Sequence, residues 1–300
     1  AASASHRLAV ALGVAALGAH LRGDTADVLR HALGIAEYHG PRSQMMREIA
    51  NPTMLHDGSG MGALVGVSSL LQAERGFTGA PAITVEGANV APVWADLGHD
   101  WTVMRNYIKP YPICRWAHGA LECLRMLVEE EGVRPEEIEA LEVATFAQSA
   151  ALFPGMPETT SEAQYSLGFA LAAYLVHGRL GPAEITGDAL RDPRVAEMHA
   201  GITVREEPRH SARFPEGRWS DVTVRLRDGR VVRSGDCNAR GGPEAPMPEA
   251  DIRAKLSVMA GGALSEARIG ALWEMRERLL DQGAEFSQLA GLVYPEPDRP

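Results

Sequence analysis

Cysteine and lysine are the scarce residues of this 300-residue chain. Only three cysteines occur, Cys114, Cys123 and Cys237, and no two form a CxxC pair. A disulfide framework and a thiolate zinc site are therefore both excluded, and a reducing cytoplasm is the compartment that suits this usage. Two of the 29 basic side chains are lysines, Lys109 and Lys255; the rest are arginines. Arginine and lysine serve alike on a solvated face, but only lysine yields its proton when burial lowers its pKa. Each retained lysine thus marks a position to examine. Positive charge is also short, since the net charge of −10 removes the main driving force for nucleic-acid binding. No apolar run reaches the roughly 18 residues of a membrane span. Stretches 8–21 and 167–176 come closest and suit buried helices, so no membrane association is expected. HExxH, GxSxG, EF-hand and P-loop spacings are all missing, which leaves zinc proteases, the usual serine hydrolases, calcium loops and P-loop NTPases without support. A small polar ligand is expected, with no metal.

What is present divides the chain into three. Segment 9–21 is apolar nearly all round, the mark of a helix packed among helices. Asp24 or Thr25 can cap a second helix through Val28, Leu29, Leu33 and Ile35 that ends near Gly40-Pro41, and a third spans 61–74 and stops at Gly76. No segment here alternates with a period of two, so 1–108 is expected to be all-helical. At Lys109-Pro110-Tyr111-Pro112 two prolines in three residues forbid a regular helix, and a domain boundary is placed there. A helix over 114–131 and a strand over 138–147 follow. Ser161-Glu162-Ala163-Gln164 has the form of a capping box for a helix that ends at Gly178. Strands 222–227 and 230–234 are joined by Asp228-Gly229, a strong hairpin signal. After the turn-rich 241–246 the chain becomes helical again, over 252–259 and 267–280. The expected fold is α+β: a large helical domain from 1–108 and 246–300, with 109–245 inserted as a smaller α+β lid. A cleft between them is the default ligand site. The Pro-rich tail 295–300 is expected to fray.

The glycine-dense loop Asp57-Gly58-Ser59-Gly60-Met61-Gly62 feeds a helix, and its backbone amides suit either tight helix packing or an anion held at the helix N-terminus. His56 and Ser59 stand beside it. Eight arginines fall between Arg205 and Arg233, but Glu206, Glu207, Glu216, Asp221 and Asp228 are interleaved with them, which reads as a solvated hairpin face. The boundary is the sharpest place in the sequence. Lys109, Tyr111, Cys114, Arg115 and His118 gather cations and polar groups at a stiff hinge, an arrangement that suits a carboxylate.

Those boundary residues, Lys109-Pro110-Tyr111-Pro112 with Cys114 and His118, resemble the KPYPxC…H signature of the MmgE/PrpD family, which includes 2-methylcitrate dehydratase, cis-aconitate decarboxylase and iminodisuccinate epimerase. Leu55-His56-Asp57-Gly58 with Gly76-Phe77-Thr78-Gly79 resembles the family's lHxG…GFTG stretch. The segment AQYSLGFALA at 163–172 is similar to its fSlpyavA helix, and 241–246 is similar to its GDPENP turn, with Lys255 on the lysine that commonly follows. The resemblance implies a helical domain with an α+β lid, a cofactor-free and usually dimeric enzyme, and an active site between the domains. It implies a lyase or epimerase that moves a proton next to a carboxylate of a small di- or tricarboxylic acid such as 2-methylcitrate. Such chemistry needs cations to spread the charge of an enolate-like transition state and one group to take the proton. On this reading Lys109 binds and polarises a carboxylate, and His56 is a proton carrier or second cation. Tyr111 and Arg115 position the substrate, and Ser59 contacts an anion.

Some family features are replaced here. Thr53-Met54 stands where a second lysine is common, and Phe169 where a lid-helix tyrosine is common. The family's N-terminal helices have no counterpart before Ala1. The alternative expectation is therefore a non-catalytic or half-site subunit, completed by a partner chain that supplies those helices. An uncovered apolar face and self-association are expected with it.

Overall fold

The computed structural model describes residues 2–42, 44–56, 58–280 and 284–294, with side chains from Leu8 onward. It divides into two compact units, Ala1–Arg105 and Asn106–Pro300. The first is helical: α1 (Ala2–Arg22), α2 (Ala26–His39), α3 (Met45–Ala50), α4 (Ser59–Ala73) and the single turns α5 (Ile83–Glu86) and α6 (Ala91–Trp94). Thr25 is the cap of α2, its hydroxyl accepting from the Val28 amide. Gly76, at φ +84°, turns the chain after α4. In α1 the buried face is a stripe of Ala11, Ala15 and Ala19, whereas Leu17 and Leu21 are exposed. The segment is apolar all round but is buried on one side only.

Small residues let these helices approach closely. Gly66 of α4 lies against the Ala11 carbonyl and Val14 of α1. Gly34 of α2 lies against Ala80, where a Cβ would fall 1.8 Å from the carbonyl oxygen. Glu37 binds the same segment, its buried carboxylate accepting from the Ile83 and Thr84 amides and the Thr84 hydroxyl. Burial alone would raise the pKa of this carboxylate, but the three donors outweigh it and hold the group below its ordinary value. Gly34→Ala is therefore expected to destabilise the chain. The gain in helix propensity is about 1 kcal/mol, while overpacking against rigid backbone costs about 1–3 kcal/mol or more. Gly13→Ala, in α1 with open space around it, should instead raise the melting temperature. Thermal unfolding of the two variants checks both signs.

On α4 the residues Gly62, Gly66, Ser69, Leu70 and Ala73 are buried. Met61, Leu64, Val67 and Leu71, at three- and four-residue spacing on the same helix, are exposed. So continuous an apolar row is expected to drive self-association. Sedimentation velocity at rising concentration tests this, and a monodisperse monomer throughout would count against it.

The second unit is α+β. Its sheet has the order β2-β1-β3-β4, with β5 on the other end of β3. The strands are β1 (Ile138–Thr145), β2 (Ile202–Glu206), β3 (Trp219–Leu226), β4 (Val231–Arg233) and β5 (Cys237–Asn238). β1 and β2 are parallel, β1 and β3 antiparallel, and β3 turns into β4 at Asp228-Gly229 with Gly229 at φ +88°. The helices are α7 (His118–Glu129), α8 (Ala147–Ala150), α9 (Thr160–Tyr165), α10 (Leu167–His177), α11 (Pro193–Ala200), α12 (Pro208–Ser211), α13 (Glu249–Ala260), α14 (Glu266–Arg278) and α15 (Phe286–Val293). α7 lies on β3 and β5, and its Gly119 meets the Arg218 carbonyl so closely that a Cβ would sit 2.2 Å from that oxygen. Leu121, Leu124 and Leu127 of α7, Val222 and Val224 of β3, Leu141 and Val143 of β1, and Phe169 and Leu171 of α10 form the core.

Two local readings are corrected. The capping box is made by Thr159 and Glu162, whose side chains each accept from the other's backbone amide, two residues before the expected Ser161. Both tetrapeptides fit the motif, but the extended backbone sits at Thr159. Ser166 then breaks the helix and caps α10 by accepting from the Phe169 amide. The helix expected from 114 begins at His118, after a 3-10 turn over Arg115–Ala117. The tail 295–300 and Asp57 of the glycine loop lie outside the described residues. Among the described residues no helix is long and apolar enough to cross a membrane.

Candidate functional site

The boundary segment of the second unit is organised around one buried imidazole. Proline at 110 and 112 keeps Lys109–Ile113 out of a helix, so this stretch can present a bare carbonyl. That carbonyl is Ile113's, and it accepts from Lys109 Nζ at 3.1 Å and from His118 Nε2 at 3.4 Å. His118 is almost fully buried at the start of α7, and its Nδ1 has no hydrogen-bond partner among the described residues. Removal from water pushes its pKa down to about 3, with the Lys109 charge acting in the same direction. His118 is thus neutral at ordinary pH, and an imidazole this weakly basic is poorly suited to take a proton from carbon.

The chain's other lysine bears on the same imidazole. The charge of Lys255, on α13, also presses on His118, and burial together with Lys109 lowers the pKa of Lys255 itself. Lys255 makes no ion pair or hydrogen bond among the described residues. It lines a cavity of about 400 Å³ together with Tyr111, Tyr174, Arg125, Arg179 and Arg240. The arginines there are paired: Arg240 with Glu122 at 3.0 Å and with Asp251, Arg125 with Glu122 at 2.6 Å and with Glu129, and Arg179 with Glu184 at 2.7 Å. Lys255 is therefore the uncompensated cation on this wall, and an anionic group entering the cavity would find it.

Two tyrosines complete the wall. Tyr111 is buried, with its ring centroid 5.5 Å from that of His118 and 6.1 Å from that of Tyr174. Burial raises its pKa, and Arg240, bonded to its hydroxyl, only partly offsets this. Tyr174 reaches Glu129 at 3.4 Å and is likewise raised by burial. Both hydroxyls keep their protons, and that of Tyr174 is donated to Glu129. Arg115 stacks on the Tyr107 ring, its guanidinium carbon 3.4 Å from the centroid, and spans to the carbonyls of Ala239 and Arg240.

The expected site residues fall into two sets. Lys109, Tyr111 and Arg115 lie in the second unit, where Lys109 and Tyr111 each contact or share a partner with His118 and the charge of Arg115 bears on it. His56 and Ser59 lie in the first unit, both exposed, His56 in the loop before α4 and Ser59 at its first turn. Gly58 caps that helix in the left-handed region at φ +68°, a conformation glycine adopts at little cost. Sequence reasoning did not place Lys255, Arg240 or Tyr174 at the site. The available signals were for Lys255: the scarcity of lysine, and its place after the turn at 241–246. The position where the family commonly carries tyrosine, Phe169, is buried in the core, and Tyr174 on the same helix supplies the hydroxyl that faces the cavity.

One other cluster has metal-ligand chemistry, His210, Asp221 and Asp236. His210 Nε2 donates to Asp221 at 2.8 Å, Arg213 donates to His210 Nδ1 at 2.8 Å, and Arg209 and Arg213 hold the two carboxylates. With the ring nitrogens and carboxylates engaged in this way, the cluster works as a partly exposed ion-pair network that takes up two of the arginines of 205–233.

The MmgE/PrpD C-terminal domain matches residues 111–279 of this chain. The match covers more than half of the 300 residues and contains His118, Tyr174, Arg240 and Lys255, so the chain belongs to the MmgE/PrpD family. A comparison with curated proteins found no match.

Proposed function

We propose that this chain is an MmgE/PrpD-type lyase or epimerase that moves a proton next to a carboxylate of a small di- or tricarboxylic acid, with 2-methylcitrate as the type substrate. The observation that carries this reading is a cavity of about 400 Å³ lined by Lys255, Tyr111 and Tyr174, next in the chain to the segment where Lys109 and the buried, neutral His118 share the Ile113 carbonyl. Two ammonium groups and the protonated Tyr111 hydroxyl are what a dianionic substrate needs for binding and for spreading enolate charge. Lys109 and Lys255 hold the carboxylates, and Tyr111 and Arg115 set the substrate's position. His118 fixes the Ile113 carbonyl that orients Lys109. The pKa values of His118 and Tyr111 are shifted the wrong way for a base, so neither is assigned the proton transfer.

Proton exchange followed by NMR tests the reading. The purified chain is incubated in D₂O with 2-methylcitrate, citrate, cis-aconitate and an amino-dicarboxylate. Deuterium uptake or product formation on any of them is expected and identifies the acid. A folded chain silent on all four favours the second reading, a half-site subunit that needs a partner chain. The exposed apolar row of α4 and the buried Phe169 support that second reading.

A further inference from the structure

Two of the three cysteines meet inside the second unit, and the proposed reaction uses neither. Cys123 is on α7 and Cys237 on β5, and none of the three is in a disulfide. Cys123 Sγ donates to the Ser220 carbonyl at 3.3 Å, and Ser220 is the β3 residue paired directly with Cys237. Both sulfurs also approach the Gly235 carbonyl, at 4.0 and 3.9 Å. Met126, one turn along α7, places its sulfur 3.5 Å from Cys237 Sγ. α7 and β5 therefore bring the two thiols to one backbone carbonyl, that of Gly235.

We infer that Cys123 and Cys237 are a peroxide-reactive dithiol that closes to a reversible disulfide joining α7 to β5. Cys237 is the attacking sulfur: it is the less buried of the two, and the neighbouring Cys123 thiol lowers its pKa, while burial pushes Cys123 up. Its thiolate breaks the O–O bond of hydrogen peroxide and becomes a sulfenic acid, releasing hydroxide. Cys123 then attacks that sulfur and expels the second oxygen. The two thiol protons leave in two waters; the sulfurs lose two electrons and the peroxide gains them. Small size matters, because Cys237 is only 6% exposed and a bulky disulfide donor has no path to it. The bond reaches the cavity through its neighbours. Glu122, beside Cys123, pairs with Arg125 and Arg240, and Arg240 follows Cys237 by three residues. Closure fixes the spacing between the two segments that hold these arginines.

The test uses the full chain carrying Cys114→Ala. It is treated with hydrogen peroxide, denatured, alkylated and peptide-mapped, with and without dithiothreitol. The expected result is a Cys123–Cys237 cross-linked peptide, loss of both alkylatable thiols, and recovery of both on reduction. The oxidised chain should also melt higher than the reduced one, because a cross-link restricts the unfolded state. Two thiols that stay alkylatable overturn the inference. So does Cys237 oxidised to sulfinic acid beside an alkylatable Cys123, or cross-linking between chains. The wild-type chain mapped in parallel should give the same cross-linked peptide, so the result does not depend on how well the variant folds.

Discussion

Replacing Lys109 with methionine is expected to lower kcat roughly 10²–10³-fold, the loss typical when one charge-stabilising donor leaves a transition state. Methionine keeps most of the length and the apolar stem but removes the charge. The structural cost is small, because the side chain is exposed and makes one hydrogen bond, to the Ile113 carbonyl. Loss of such a bond costs about 1 kcal/mol, which in a chain of this size moves the melting temperature by about 2–4 °C. A variant that melts near the wild type and turns over as fast would remove Lys109 from the site. Lys109→Arg divides the role further. Arginine keeps the charge but spreads it over a planar fork. Activity retained in arginine and lost in methionine would assign Lys109 to charge stabilisation alone; loss in both would require a compact ammonium. Lys255→Met tests the second cation in the same assay, and its effect should fall on KM as well as kcat, because Lys255 lines the cavity where a remote carboxylate would sit.

What could be read along the chain was what neighbouring residues decide among themselves. The stop at Gly178 in the left-handed region and the Asp228-Gly229 hairpin depend on a few adjacent residues and lie where the sequence places them, and the cap of α2 falls on Thr25, one of the two residues it offered. The helical first unit followed from apolar spacing in the same way. Strands β2 and β5 were not legible. Ile202–Glu206 is short and mostly exposed, with no alternating face, and Cys237–Asn238 is two residues long; each is a strand only because β1 or β3 lies alongside. The site shows the same division. Lys109 and Tyr111 stand out in the sequence from the prolines around them. Tyr174, Arg240 and Lys255 come from three separate elements, and only packing brings them to one cavity. His118 stood out as part of a motif, but nothing in the sequence shows that it is buried and neutral.

That burial sets the pH dependence of stability. In the unfolded chain His118 titrates near 6.5, whereas in the fold its pKa is pushed down to about 3 by desolvation and by the charges of Lys109, Arg115 and Lys255. Between these values the unfolded state binds a proton that the folded state does not. Stability is therefore fully present above pH 6.5 and is lost as pH falls toward 3, with a slope of up to about 1.4 kcal/mol per pH unit. Over pH 6.5 to 5 that amounts to about 2 kcal/mol. His199, also lowered by burial, contributes in the same direction. The depressed carboxylates Glu37 and Glu184 add their losses only as pH falls through the ordinary carboxylate range, below this window. Denaturant unfolding at pH 7, 6 and 5 should show the decline in the wild type and a flatter profile in His118→Gln, whose amide can still donate to the Ile113 carbonyl but does not titrate. Equal slopes in the two proteins would mean that His118 is already protonated in the fold. The Ile113 carbonyl would then be shared by two cations, and Lys109 would be pushed away from it. The orientation proposed for Lys109 therefore depends on His118 remaining neutral, and the slope measures that directly.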